Sequence, residues 1–275
     1  MANSAQTMLG SVVALWRYPV KSMMGEELNA AELTQRGLRG DRAYGLVDSA
    51  DGKVASAKNP RKWPQLFDFR AALTEAPRND ASGTVRITLP DGTVVSSEQR
   101  DVDQVLSQAL KRDVALRAAE RRSAQEATAE EYWPDMEGLD HRDTVTDFAL
   151  PEGTFFDAAV VHVLTVATLD RLRELYPKGR FEVRRFRPNI VVETGSTDFA
   201  ENAWIDHTIA IGEGIRLSIT GPCPRCVMTT LPQGDLPKDP GILRTAAQQN
   251  NANVGVYASV VRGGTVRRGD VVRLE

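Results

Sequence analysis

Short apolar runs alternate along the chain with polar, turn-forming clusters, a pattern of strands rather than of long helices. Residues 11–20, SVVALWRYPV, predict a strand stopped near Pro19, with Lys21 and Ser22 in the loop after it. Residues 1–10 predict a fraying terminus. Residues 42–56 predict a hairpin turning at Asp51–Gly52, and residues 84–96 a second one turning at Asp91–Gly92. Val102, Val105, Leu106 and Leu110 then recur at helical spacing, with an Asp near the start of the run.

In the second half, residues 160–177 predict a short strand and then a helix capped at Thr165 or Thr168 and ended before Pro177. RFRPNIVVET enters a strand after Pro188, and IAIGEGIRLSIT predicts a hairpin that delivers the chain to GPCPRC. Residues 253–275 predict a strand, a Gly-Gly turn and a last strand. Between the halves, residues 118–143 are charged and without period, so the domain junction or a long surface loop is placed there. The expected division is 10–120, a connecting loop at 121–143, and 144–275. With strands dominant in both halves and few helices, the expected class is α+β and β-rich; the alternation of a Rossmann sheet is absent.

Composition narrows the function classes. With 41% apolar and 26% charged residues the chain reads as an ordinary soluble protein. A net charge of −3 gives no general attraction to nucleic acid, so any anion site must be a local cluster of base. The sequence contains no apolar run long enough to span a membrane and no secretory signal pattern, so the expectation is a cytoplasmic protein with no membrane partner.

The candidate chemistry gathers at few positions. Cys223 and Cys226 are the two cysteines, spaced C-x-x-C. Zinc needs about four ligands, and His141, His162 and His207 are not at ligand spacing from one another. A thioredoxin-like pair needs a helix beginning at the first Cys, whereas VMTT favours a strand. Structural zinc and a redox pair are the less favoured readings; beside them stand a buried structural pair and a single thiolate ligand to a soft metal that brings its other ligands with it. Arg184, Arg185 and Arg187 fall within four residues, Arg225 lies between the cysteines, and Lys21 and Arg42 sit in or beside loops. Arginine forks suit phosphate, but a solvated strand face or a protected sheet edge would use the same residues. Asn189 could meet a heterocycle edge with donor and acceptor; Tyr257 reads equally as a strand residue.

Taken in order, YPVKS, GLRGDRAYGLVD, FFDAAVVHVLT, RFRPNIVV, PCPRCVMTT and VGVYASV…GTVRRGDVVRL resemble the MOSC proteins over nearly the whole chain. Within that family the likeness is to the mitochondrial amidoxime reducing component and bacterial YcbX-like branch. The resemblance implies an N-terminal β-barrel region packed on a C-terminal MOSC β-barrel domain, with a Mo-molybdopterin cofactor between the two β-rich regions. It puts the metal ligand, and so the catalytic residue, at Cys226. It puts cofactor contacts at Lys21, Ser22, Arg42, Asp157, Ala158, Arg187, Asn189, Arg225 and Tyr257. Arg187 and Arg225 are then expected to lie near the Cys226 sulfur and favour its thiolate.

The implied activity is reduction of N-hydroxylated compounds, amidoximes or hydroxylamines. Electrons are expected from a separate redox protein of ferredoxin, flavin reductase or cytochrome-like type, because no further cysteines are present for an iron–sulfur domain. The alternatives are a sulfur carrier with a persulfide on Cys226, or a carrier of the cofactor itself. Pro224 stands where a relative can have Ser, and residues 231–255 depart from the family's usual run, so the loop expected to face substrate is this chain's own.

Overall fold

The computed structural model describes residues 7–75, 77, 82–119, 127–137, 142–151 and 153–275. Its centre is a closed seven-strand barrel. Going round, Ile190–Thr194 neighbours Val161–Thr165, then Asn253–Arg262, Ile215–Pro224, Thr208–Ile211, Val271–Leu274 and Thr7–Arg17, which pairs back with Ile190–Thr194. Every pair in this ring is antiparallel except Val161–Thr165 with Ile190–Thr194. A parallel pair needs a crossover, and the helix Val166–Leu175 lies in it. Alternate residues of the strands, among them Val12, Val163, Ile190, Ile209, Leu217, Val256 and Val272, form one buried cluster, as the period of two requires.

The described residues hold four α-helices: α1 Val102–Leu110, α2 Val166–Leu175, α3 Val183–Phe186 and α4 Pro240–Asn250. Thr165 caps α2, its side chain accepting from the Thr168 amide. Tyr44–Asp48 pairs with Val114–Ala118, and Arg70–Leu73, Val85–Thr88 and Val94–Ser96 form a three-strand sheet. With α1 these strands enclose a second core of Met23, Leu46, Phe67, Phe69, Ile87 and Leu106, which Val227, Met228 and Leu231 of the second half also join. The halves interlock again where Ala30–Thr34 pairs with Gly264–Arg267.

The class is α+β and β-rich, as the sequence implies, but several local expectations are corrected. Residues 1–6 of the expected frayed terminus lie outside the described residues, and a strand already begins at Thr7, satisfied by Leu274. That strand belongs to the barrel of the second half. The stretch 121–143, read as a connecting loop, carries the strand Thr128–Trp133, paired with Thr144–Ala149; residues 120–126 and 138–141 lie outside the described residues. The hairpin at 42–56 reduces to a single bridge, Val47 to Val54, because Tyr44–Asp48 takes Val114–Ala118 as its main partner. VMTT is a 3-10 turn, Val227–Thr230, not a strand, since Thr229 and Thr230 turn their hydroxyls onto the carbonyls of Cys226 and Val227. The expected substrate loop contains α4, begun by Asp239 as cap and Pro240 in the first turn, and ends in the strand Asn253–Arg262. Among the described residues no helix is long and apolar enough to cross a membrane.

Candidate functional site

The strand Ile215–Pro224 carries Cys223 into the barrel wall and ends as Arg225 bonds from its amide to the Ala252 carbonyl at 2.8 Å. Cys226 then precedes the 3-10 turn whose Val227 and Met228 are buried in the first half's core. This fixes Cys226 at the seam between the halves. Arg185 locks the turn from the other side. Its fully buried guanidinium donates to the carbonyls of Arg180, Thr229, Leu231 and Pro237 at 2.8–3.0 Å. Arg184 pairs with Asp235 at the surface. Of the arginine cluster, only Arg187 faces the cavity.

That cavity, 440 Å³ in volume, lies along the seam. All ten residues singled out from the sequence line it: Lys21, Ser22, Arg42, Asp157, Ala158, Arg187, Asn189, Arg225, Cys226 and Tyr257. Five cationic side chains, Lys21, Arg42, Lys58, Arg187 and Arg225, face two carboxylates, Glu131 and Asp157. Backbone strain concentrates here too. Nine non-glycine residues have positive φ among the described residues, and Ser22, Arg42, Arg187, Asn251 and Ala252 line this cavity. Such conformations persist where the surroundings over-determine them, and they cluster at working sites.

At one end Tyr18 is flanked by two guanidinium groups, Arg187 at 4.1 Å and Arg42 at 4.5 Å from its ring centre. Arg187, a left-handed residue ending α3, donates to the Met23 carbonyl at 2.6 Å. Burial and then the nearby Arg42 bring its pKa down to about 9. Arg42 pairs with buried Asp41. Lys21 holds Asp157 and the Phe155 carbonyl, and burial lowers its pKa against the pull of Asp157. Ser22 accepts from the Ala57 amide at 3.0 Å. Asn189 is committed at both ends of its amide, to the His162 amide and to Asp41 and the Trp16 carbonyl. Its contribution to the cavity is therefore to join three strands of the wall.

At the sulfur end the two cysteines differ. Burial opposes ionisation of Cys223, but Arg225 outweighs it, helped by His162 and Tyr257, and the thiol falls to about 6. Arg225 donates to this sulfur from Nη1 at 2.7 Å. Half-buried Cys226 is pushed up to about 11 by burial, with Lys58 pulling the other way. Of the two arginines expected to help a Cys226 thiolate, Arg225 does so, although it gives its hydrogen bond to Cys223; Lys58, not Arg187, is the foremost cation acting on Cys226. Gly255, at φ +84, allows this packing, because a Cβ there would meet His162 Nε2 at 2.2 Å.

Sequence reasoning missed Lys58, Glu131, Trp133, His162 and Phe156 as cavity residues. Lys58 Nζ lies 3.3 Å from Glu131 and 3.4 Å from Asp157; burial opposes its charge, but Asp157, Cys226 and Glu131 raise its pKa. The available signal is the alternation in TAEEYW, which puts Ala129, Glu131 and Trp133 on one face. His162 enters the sequence reading only as a zinc ligand; its Nε2 meets the Val254 carbonyl instead. His141 lies outside the described residues.

The chain matches the MOSC domain over residues 151–273 and the MOSC N-terminal beta barrel domain over residues 9–146. It is 26% identical over 308 residues to mitochondrial amidoxime reducing component 2 of Bos taurus, covering 96% of this chain and 83% of that protein. It is 28% identical over 239 residues to the protein of the same name from Homo sapiens, covering 81% of this chain and 67% of that protein. The crystal structure of the YUAD protein from Bacillus subtilis superposes with a TM-score of 0.49 at 12% identity, covering 97% of this chain and 96% of that one.

Proposed function

This chain belongs to the MOSC family, and from that premise we propose that it is a molybdenum-cofactor oxidoreductase acting on N-hydroxylated small molecules. The substrate would be an amidoxime or hydroxylamine, reduced with two electrons and two protons to the amidine or amine plus water. The electrons would come from a separate electron-transfer protein. Relatives named amidoxime reducing components support the reaction type.

The observation that carries the reading is the convergence of one thiol and five cations on a single cavity at the seam. The residues fit a polyanionic cofactor. Arg225, one of the cavity residues, has its Nε buried without a hydrogen-bond partner among the described residues, and a buried polar group left so is costly unless a ligand satisfies it. Cations exceed carboxylates, which suits a phosphate-bearing group.

When bound, the cofactor supplies the redox chemistry. Cys226 would hold the metal through its sulfur, and the metal's charge would favour the thiolate that burial opposes. Arg42, Arg187, Lys21 and Ser22 hold the phosphate and pterin end; Arg225 and Tyr257 flank the sulfur end. Asn189 and Asp157 position these groups rather than reach far into the cavity. Phe155, Phe156 and Phe186 limit water in the wall.

The decisive experiment is molybdenum per protein by elemental mass spectrometry, from a host that makes the cofactor, with Cys226→Ala in parallel. Near-stoichiometric metal in the wild type and none in the variant is expected. Absence of metal and pterin in both, with host supply verified, would overturn the reading. A sulfur-atom mass increment on Cys226 released by dithiothreitol would replace it with the persulfide carrier. Bound cofactor without turnover with any donor would replace it with the cofactor carrier.

A further inference from the structure

One stretch of the cavity wall has no part in holding the cofactor in the proposed function: Lys58, Glu131 and Trp133. The chain brings them together through its backbone. Val54 bridges to Ala129, and the Tyr132 amide donates to the Lys58 carbonyl at 2.7 Å. The segment 54–58 therefore runs beside Thr128–Trp133. Strand alternation then puts Glu131 and Trp133 on the cavity side, while Glu130 turns away to Lys53 and Asn59.

Glu131 is unusual for a carboxylate that is only 9% exposed. Its Oε2 meets Lys58 at 3.3 Å, while Oε1 accepts no hydrogen bond among the described residues. It keeps contact with the cavity space. Lys58 has three N–H donors, two carboxylate partners, Glu131 and Asp157, and the Phe148 ring 4.6 Å from its nitrogen, so a ligand oxygen would compete only with the weaker ring contact for the third donor. Trp133 is pinned by its indole N–H to Thr146 Oγ1 at 2.9 Å and adds a fixed flat ring. This acceptor, donor and ring line the same cavity as Cys226.

We propose that Glu131 selects the substrate: its free carboxylate oxygen accepts an N–H adjacent to the N–OH group, while Lys58 donates to the hydroxyl oxygen. The class so selected has at least one further nitrogen on the carbon that bears the N–OH, amidoximes and N-hydroxyguanidines, whose cationic products also match a carboxylate. An N,N-dialkylhydroxylamine carries the N–OH but no N–H. In the site it would leave Oε1 desolvated and unpaired, and sites built to bond a donor reject analogues without it. The assignment rests on the proposed function for the reaction, but not for the binding chemistry.

The test compares wild type, Glu131→Gln and Glu131→Asp, all assayed for molybdenum content. Glu131→Gln leaves Asp157 to pair Lys58, so no buried ammonium is stranded; Glu131→Asp keeps the charge. Two readouts are taken: kcat/KM for benzamidoxime against N,N-dimethylhydroxylamine, and the affinity for benzamidine by calorimetry. In Glu131→Gln, benzamidoxime kcat/KM is expected to fall about tenfold to a hundredfold and benzamidine to bind about tenfold or more weaker, as for a lost charge-assisted bond. N,N-dimethylhydroxylamine is expected to gain rate, because a neutral amide oxygen costs less to leave unpaired than a carboxylate, and Glu131→Asp to restore part of the preference. A parallel fall for both substrates, or benzamidine binding unchanged in Glu131→Gln, overturns the assignment. Should the wild type carry no molybdenum, the reaction fails while the titration still decides the subsite: Glu131-dependent benzamidine binding upholds it, and Glu131-independent binding or none overturns it.

Discussion

Arg225 gives its hydrogen bond to Cys223, at 2.7 Å, rather than to Cys226 beside it in sequence. The cysteine that holds no metal in the proposed function thus sets the direction of a cavity arginine. Replacing it by Ala takes the sulfur partner from a buried guanidinium and leaves it the Phe186 carbonyl at 2.9 Å. Cys223→Ala is therefore expected to lower molybdenum content partially, where Cys226→Ala abolishes it. Equal and complete loss in both variants would remove the single-ligand assignment.

The same pair predicts a pH-dependent stability. The Cys223 thiol is lowered from about 9 to about 6 in the fold, so its stabilisation is full above the unfolded value and fades as pH falls through 6. The stability gap between metal-free wild type and Cys223→Ala should widen from pH 6 to pH 9, by on the order of 1–4 kcal/mol. Urea denaturation at the two pH values measures it; a gap that is flat or widens toward acid contradicts the ion pair.

Arg185 and Arg187 should separate cleanly. Arg185→Met takes the guanidinium donor from four carbonyls, two of them, Thr229 and Leu231, buried, and should destabilise the metal-free protein by about 3–5 kcal/mol. Arg187→Met should mainly reduce pterin and molybdenum content, and Arg184→Met should change neither. Thermal melts and cofactor content on the three variants check this. A stable Arg185→Met protein would show that the lock does not matter.

Cys226 should alkylate slowly in metal-free protein. With its thiol pushed up to about 11, roughly a thousandth is thiolate at pH 8. The rate should climb through pH 9–10, and Lys58→Met should slow it further by removing the cation that favours the thiolate. Mass spectrometry of iodoacetamide adducts gives the rates; fast labelling of Cys226 at pH 7 would contradict the burial effect.

How far the sequence could be read depended on where each residue's role was decided. The helix Val102–Leu110 and the Thr165 cap are local in origin, and pattern alone predicts them. The strand Thr128–Trp133 escaped because even its cavity face carries an acid, Glu131, so hydrophobic alternation is lost. Helix α4 escaped although Asp239–Pro240 is a local start signal, because the helix itself is rich in polar side chains. The ten motif residues converge on one cavity, yet Arg185 and Arg187 look alike in sequence. Which one locks a loop and which faces the cavity is settled by a left-handed turn at Arg187. The direction of Arg225 is likewise a tertiary fact.

The strand Thr7–Arg17 pairs with Val271–Leu274 at one edge and Ile190–Thr194 at the other. In a chain made from its N-terminus, the strand Thr7–Arg17 waits for residues far along the sequence before its barrel can close. Contacts of such long range are slow to form. The seam that holds Cys226 is therefore a late product of folding, and a cofactor would meet a finished barrel rather than nucleate one. Cutting the chain between its halves would not yield two working pieces, because the cut would leave the barrel without a stave.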